Sequence, residues 1–163
     1  MTGPPQKTML LTRKTDYALV ALAGLARRGG EAASARDLAD QLDLPLPVLR
    51  NILKVMATQG LLTSSRGPSG GYRLAKLPRE ISLAEIVKVI EGPVQLVKCC
   101  PTESDGRDHG CQLEDSCLIK LNIGRVHERL MRFLHEVTLD QIVPDAGVET
   151  GTVTVLRSEP VTR

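Results

Sequence analysis

The feature that most constrains the fold of this chain is a glycine- and proline-rich segment at residues 66–71, with the sequence Arg-Gly-Pro-Ser-Gly-Gly. Short runs that are typical of β-strands flank it at residues 61–63 and 72–74, so the segment predicts the tip of a β-hairpin. Three helical patterns precede the hairpin, at residues 13–27, at 34 to about 42, and from the proline-rich turn at 45–47 to 59. Three short helices followed by a basic hairpin is the element order of a winged helix-turn-helix domain, so the predicted fold class is mainly α with a small β-hairpin.

The third helical pattern predicts the helix that would enter the major groove of DNA. Its apolar residues are spaced three and four apart, which predicts one buried face made of Leu49, Ile52, Leu53 and Met56. Arg50, Asn51 and Lys54 fall on the other face, where they could reach base edges or phosphates. Each of these side chains alone fits a solvated surface equally well. Together, before a glycine-rich wing, they favour contact with DNA.

Arg66 at the hairpin tip is the strongest single candidate for a DNA contact. The glycines around it allow a close approach of the backbone, and a planar guanidinium suits either a phosphate or a narrow minor groove. The full set of predicted DNA-binding residues is Arg50, Asn51, Lys54, Arg66, Ser69, Gly70 and Tyr72.

The formal net charge of +2 conceals two opposed halves. Residues 1–80 carry 12 Lys+Arg against 6 Asp+Glu, whereas residues 81–163 carry 9 against 13. A basic half joined to an acidic half indicates a nucleic-acid-binding domain with a separate function behind it. Aromatic residues are only 2% of the chain, which argues against base stacking on single strands and favours duplex DNA as the partner. No apolar run approaches a membrane span and no signal pattern opens the chain, so we expect no membrane partner and a cytoplasmic location.

The four cysteines cluster in one short stretch of the chain, as Cys99, Cys100, Cys111 and Cys117. A disulfide framework joins distant segments, so this clustering favours metal or redox chemistry. Structural zinc sites usually pair cysteines two to four residues apart, which is not the spacing found here. An iron–sulfur cluster tolerates wider spacing in a loop. A zinc site that recruits His109 and a redox disulfide remain alternatives.

The most regular helical pattern follows the cysteines and predicts a dimerisation helix. Its apolar residues repeat at alternating steps of four and three, as in a coiled-coil seam: Ile119, Ile123, Val126, Leu130, Phe133 and Val137. The alternative is that this stripe packs against its own domain. A helix that starts at the capping sequence Ser82 to Glu85 and ends at Glu91 connects the two halves.

These patterns divide the chain into six predicted segments. They are a disordered leader at 1–8, the winged helix-turn-helix domain at 9–80, a connecting helix at 81–98, a cluster-binding loop at 99–117, the dimerisation helix at 118–143 and a disordered tail at 144–163.

Three stretches resemble the Rrf family of bacterial winged-helix transcription regulators. They are the run at 11–19, the wing at 66–75, and the cysteines Cys99, Cys111 and Cys117. The family includes a regulator of iron–sulfur assembly and a nitric-oxide-sensing repressor. The resemblance covers about residues 9–143 and implies a homodimer of winged-helix domains crossed by a long C-terminal helix. It also implies an iron–sulfur cluster, 4Fe–4S or 2Fe–2S, held by three cysteines before that helix.

The resemblance also suggests a fourth ligand for the cluster. In the assembly regulator a histidine three residues after the last cysteine completes the site, but Lys120 occupies that place here. In the nitric-oxide sensor an aspartate in the first helix of the other subunit is the ligand, and Asp16 occupies the matching place. Asp16 is equally suited to interact with the dipole of its own helix. Cys100 is a reserve ligand because the cysteine is doubled, and His109 is one because the resemblance implies that other family members use residues such as Glu or His.

The sequence therefore predicts a homodimeric transcription regulator, most simply a repressor, that senses nitric oxide, redox state or iron–sulfur status. The alternative is a cluster-free winged-helix regulator that uses its cysteines for zinc or for thiol–disulfide switching. No phosphate loop, paired carboxylate motif or Ser/His/Asp arrangement supports catalysis, so we expect no enzyme.

Overall fold

The computed structural model describes residues 12–67, 70–96 and 117–143. The predicted leader, most of the cysteine segment, and the predicted tail lie outside these ranges. In chain order the helices and strands are α1 Arg13–Ala26, α2 Ala35–Leu42, α3 Leu46–Thr58, β1 Leu62–Ser65, β2 Gly71–Leu74, a 3₁₀ turn at Pro78–Glu80, α4 Leu83–Glu91, α5 Lys120–Glu136 and α6 Leu139–Ile142.

Two helices begin at serine caps that the sequence predicts. The hydroxyl oxygen of Ser34 accepts a hydrogen bond from the backbone N–H of Asp37, and that of Ser82 accepts one from Glu85. Each cap satisfies a backbone donor that lacks a partner in the first turn of a helix. The chain therefore starts α2 and α4 at positions that local chemistry fixes.

The first three helices pack around an aliphatic core. α1 contributes Ala18, Ala21, Leu22 and Leu25, and α3 contributes the four residues that its spacing predicts, Leu49, Ile52, Leu53 and Met56. Burial of each leucine, isoleucine or methionine among them contributes about 1.5–3 kcal/mol. This core fixes the direction of α3 and leaves its opposite face outside.

The predicted hairpin forms, and an additional residue joins its sheet. β1 and β2 pair antiparallel with Leu62 opposite Leu74 and Ser65 opposite Gly71. Ala33, just before α2, exchanges two backbone hydrogen bonds with Tyr72, at 2.8 and 2.9 Å. A Cβ at Gly71 would lie 2.4 Å from the carbonyl oxygen of Ala33, so the close approach of the two backbones requires glycine there.

The prediction of one long helix over 118–143 is wrong at the C-terminal end, because α5 ends at Glu136. Val137 adopts an extended conformation, and its carbonyl accepts a hydrogen bond from the N–H of Leu83. The chain then turns into α6, where Leu139 is fully buried in the core of the first three helices. Val137 therefore joins the start of α4 rather than extending the helical stripe, and Ile119 lies just before α5 as its N-cap.

Candidate nucleic-acid interface

The exposed face of α3 carries the predicted DNA-reading side chains. Arg50, Asn51 and Lys54 are all exposed on the side opposite the buried stripe. Asp43 in a left-handed conformation (φ 52°) ends α2, and Pro45 starts α3. This tight turn presents the N-terminal half of α3 as an outward ridge, which is the arrangement that a helix needs to enter a major groove.

The hairpin forms a wing beside this helix. Arg66 is exposed directly after β1, and Gly70 is half-buried before β2. A Cβ at Gly70 would lie 2.4 Å from the carbonyl oxygen of Ser65, so the tip closes only with glycine at that position. Ser69 lies outside the described residues. Tyr72 is half-buried and packs against the core, which places most of its ring away from the solvent side of the wing.

The structure adds a basic residue to the wing that the predicted set lacks. Arg73 is exposed on β2, and its Nε donates a hydrogen bond of 3.1 Å to the hydroxyl of Thr63 on β1. Neighbouring residues on a strand point to opposite faces, so the inward packing of Leu74 turns Arg73 outward. The alternation of inward and outward residues along β2 could have identified Arg73 as exposed from the sequence.

A carboxylate connects the end of α4 to the start of α1. One oxygen of Glu91 accepts hydrogen bonds from the backbone N–H and the hydroxyl of Thr12, at 3.1 and 2.5 Å, and from the hydroxyl of the buried Thr15. These bonds lower the pKa of Glu91, and the largest contributions come from the hydroxyls of Thr12 and Thr15. Glu91 thus holds the first turn of α1, where the exposed Asp16 lies, at the end of the helix that leads toward the cysteine segment. Sequence patterns gave no sign of this contact.

The structure places only part of the predicted ligand set. Cys117 is half-exposed, three residues before α5, whereas Cys99, Cys100, Cys111 and His109 lie outside the described residues. Within the described ranges, no three His, Cys, Asp or Glu side chains lie together in a group that could hold a metal ion. The described residues therefore do not by themselves bring Asp16 and Cys117 into one site.

α5 has two different apolar faces. One face packs on α4 and contains His127, which is only 5% exposed. The other carries the predicted seam, where Val126 and Phe133 are 52% and 57% exposed and Ile123 and Leu130 are half-buried. Val126 and Phe133 are therefore outside the core that the described residues form, which favours a seam over packing within one domain.

Three helices, a glycine-closed wing and an outward basic ridge define a winged-helix DNA-binding protein of the transcription-regulator class. The chain belongs to the Rrf2 family, described as iron-dependent transcriptional regulators, whose sequence profile matches residues 11–145. The predicted family and winged-helix fold are confirmed, and the expectation that the chain is not an enzyme agrees with relatives that are named as regulators.

A relative from Pectobacterium carotovorum, named HTH-type transcriptional regulator IscR, is 31% identical over 141 residues, which span 86% of this chain and 82% of the relative. The solved structure of IscR from T. potens has a TM-score of 0.63 at 24% identity, covering 88% of this chain and 94% of that one. The structure of CymR, the global cysteine regulator of B. subtilis, has a TM-score of 0.60 at 23% identity, covering 83% and 97%. Among the helices described for this chain, none is long and apolar enough to cross a membrane.

Proposed function

We propose that this protein is a homodimeric transcription repressor that binds double-stranded DNA in the cytoplasm and senses nitric oxide, redox state or iron–sulfur status through an iron–sulfur cluster. The observation that carries the proposal is the division of exposed surface between two elements. α3 and the wing expose arginine and lysine, while α5 exposes an apolar stripe. The first surface suits a duplex, and the second suits another copy of the chain.

The predicted DNA contacts on α3 and on the wing would act together on one duplex. Arg50 and Lys54 would enter the major groove from α3, with Asn51 between them, and Arg66 would reach the backbone or minor groove from the wing. A dimer presents two such surfaces, and its two α3 helices must lie about 34 Å apart to match half-sites one helical turn apart. The spacing of the α5 helices in the dimer would therefore control operator affinity.

The residues proposed to hold the cluster are Cys99, Cys111, Cys117 and Asp16. Three thiolates suit a soft iron centre, and a carboxylate oxygen is a weaker ligand that leaves one iron more reactive. When bound, such a cluster supplies iron that reacts with nitric oxide or oxidants. The exposure of both Asp16 and Cys117 leaves them available to a shared site, with Asp16 donated by the partner subunit. Cys100 and His109 are the reserve ligands.

The chain offers a direct route from these ligands to both functional surfaces. Cys117 lies three residues before α5, so a change in its position would reach the dimer helix. Asp16 lies in the first turn of α1, which Glu91 ties to α4. A change at the proposed site would thus alter the relative placement of two α3 helices, which is a population shift between two dimer arrangements.

Anaerobic purification of the full chain tests the cluster. We expect a brown protein with absorbance near about 400 nm, typical of cysteine-bound iron–sulfur clusters. Cys117→Ser should abolish this absorbance, Asp16→Ala should accelerate its loss in air, and the exposed Asp40→Ala should behave like the native protein. Footprinting with cluster-loaded and cluster-free protein then shows which form binds the operator. A colourless native protein would overturn the cluster, and an unchanged Asp16→Ala would overturn the fourth ligand.

The second candidate is a cluster-free regulator whose cysteines bind zinc or form a reversible disulfide. The half-exposed thiol of Cys117 favours this candidate because accessible thiols oxidise readily. Stoichiometric zinc in a colourless protein, or operator affinity that follows added thiol and oxidant without any iron, would favour this candidate over the cluster.

A further inference from the structure

The outer face of the wing consists of Thr63 and Ser65 on β1 and Arg73 on β2, and all three side chains are exposed. Thr63 lies directly opposite Arg73 in the antiparallel register, so the two share this face of the hairpin. Ser65 lies opposite Gly71, which has no side chain. These four positions therefore present one guanidinium and two hydroxyls, and no carboxylate.

The guanidinium of Arg73 is held in a defined orientation. Its Nε donates a hydrogen bond of 3.1 Å to the hydroxyl oxygen of Thr63. This bond uses one N–H of the guanidinium and leaves the N–H groups of its two terminal nitrogens for another acceptor. A fixed cation that presents several donors suits a ligand that is negatively charged and only accepts hydrogen bonds, such as the oxygens of a phosphate.

The outer face of the wing lies beside the start of α2, the helix that crosses the DNA backbone in a helix-turn-helix. Ala33, just before α2, exchanges two backbone hydrogen bonds with Tyr72, the neighbour of Arg73. Towards the tip of the hairpin, Arg66 lies three residues beyond Thr63, which is about 10 Å along the strand. One DNA strand carries one negative charge per about 3.4 Å of helix axis, so Arg66 and Arg73 would meet phosphates about three apart.

We propose that Arg73, positioned by Thr63, is a second phosphate contact of the wing, so that one DNA strand runs along the hairpin from Arg66 toward the start of α2. This inference rests on the proposed DNA-binding function and deepens it. Because phosphates are alike at every base pair, the contact carries no sequence information. It raises affinity for any duplex and helps to fix the register of α3 in the major groove.

Fluorescence anisotropy of the full chain with a labelled duplex of mixed sequence tests the contact. The slope of log affinity against log salt, between about 50 and 200 mM KCl, reports how many phosphates the protein neutralises. Arg73→Gln should lower affinity about tenfold at the lower salt concentration and reduce the slope by about one. Arg132→Gln removes the same charge from an exposed position on α5 and should leave both quantities unchanged.

Two further variants separate the charge of Arg73 from its orientation. Arg73→Lys keeps the cation and loses the bond from Nε, so the slope should stay near the native value while affinity falls about threefold. Thr63→Val removes the acceptor with little change in shape, and it should also lower affinity about threefold at an unchanged slope. In the Arg73→Gln background, Thr63→Val should cause no further loss, because the hydroxyl acts through the guanidinium.

The results distinguish a failure of this contact from a failure of DNA binding as a whole. A native protein that does not bind the duplex would overturn the proposed function and this contact with it. If Arg66→Ala reduces the slope and Arg73→Gln does not, DNA binding by the wing stands and the second contact is overturned. An equal loss in Arg132→Gln would also overturn it, since net charge alone would then account for the effect. If Arg73→Gln fails to fold, native affinity in both Arg73→Lys and Thr63→Val would overturn the contact.

Discussion

α3 and α5 are both amphipathic helices, but they use their apolar faces in opposite ways. α3 buries Leu49, Ile52, Leu53 and Met56 completely or nearly so within its own chain. α5 leaves Val126 and Phe133 more than half exposed. The same kind of sequence periodicity therefore gives a closed core in one region and an open surface in the other.

The difference shows where each helix obtains its stability. α3 is held by the core of α1 and α2, and its polar face is free to contact DNA. Among the described elements α5 packs mainly on α4, and Val126 and Phe133 of its seam stay more than half exposed. In the proposed homodimer the same stripe of a second copy would cover it.

The largest effect should come from a substitution that removes a buried side chain of α3. Leu53→Ala removes a fully buried side chain of α3 and leaves a cavity, which should lower the free energy of unfolding by about 3 kcal/mol. Urea unfolding at one fixed protein concentration measures this change. The adjacent exposed Lys54→Ala should stay within about 0.5 kcal/mol of the native protein. Equal losses in the two variants would contradict the distinction between the two faces of α3.

Substitutions on the exposed seam of α5 should change the stability of the proposed dimer. Val126→Asp combined with Phe133→Asp places two carboxylates on the seam, and burying them unpaired should weaken the dimer at least about a hundredfold. Sedimentation equilibrium measures the dissociation constant. The control is Leu121→Asp, because Leu121 is 80% exposed on a different side of α5. A dimer that survives the double change, or that Leu121→Asp disrupts equally, would show that the seam is not the interface.

A smaller effect is expected at the wing. Arg66→Ala removes an exposed cation, so operator affinity should fall about tenfold and the slope of log affinity against log salt should decrease by about one. A salt titration of operator binding measures both. Arg132→Ala, on the solvent side of α5, should leave DNA binding unchanged. An unaltered salt slope in Arg66→Ala would remove this residue from the interface.

The smallest effect concerns Glu91, which connects α4 to α1. Its hydrogen bonds from Thr12 and Thr15 lower its pKa in the folded protein, so its stabilisation is present above the ordinary value of 4.5 and is lost as pH falls through the lowered value. Glu91→Gln should lower Tm by about 1–2 °C at neutral pH, with the difference from the native protein shrinking in acid. The control is the exposed Glu128→Gln, which removes the same charge away from the contact between α4 and α1. A constant difference across pH would contradict the role of the charge.

Much of the closed region could be predicted from the sequence. The caps at Ser34 and Ser82, the buried stripe of α3 and the hairpin all depend on contacts within a few residues, where spacing carries the information. The end of α5 could not be predicted in this way. The apolar pattern continues through Val137, but pairing with residues near Ser82 takes the chain out of the helix.

The candidate site also contains residues that the sequence predicts and features that it does not. The exposure of Arg50, Lys54 and Arg66 follows from local pattern, whereas the ligand assignment of Asp16 came from a family resemblance and stays a prediction. Arg73 could have been added from strand alternation. The burial of His127 could not, because it depends on how α4 and α5 approach each other.

The local elements, the aliphatic core of α3 and the basic surface follow from the sequence alone, because each is set by side chains close together along the chain. Three features depend on how distant segments meet: Leu139 enters the core of the first three helices, Glu91 binds Thr12 across 79 positions, and the Nδ1 of His127 is buried with no hydrogen-bond partner among the described residues. These contacts join segments far apart in the chain, and periodicity records which face of a helix is apolar but not what covers it.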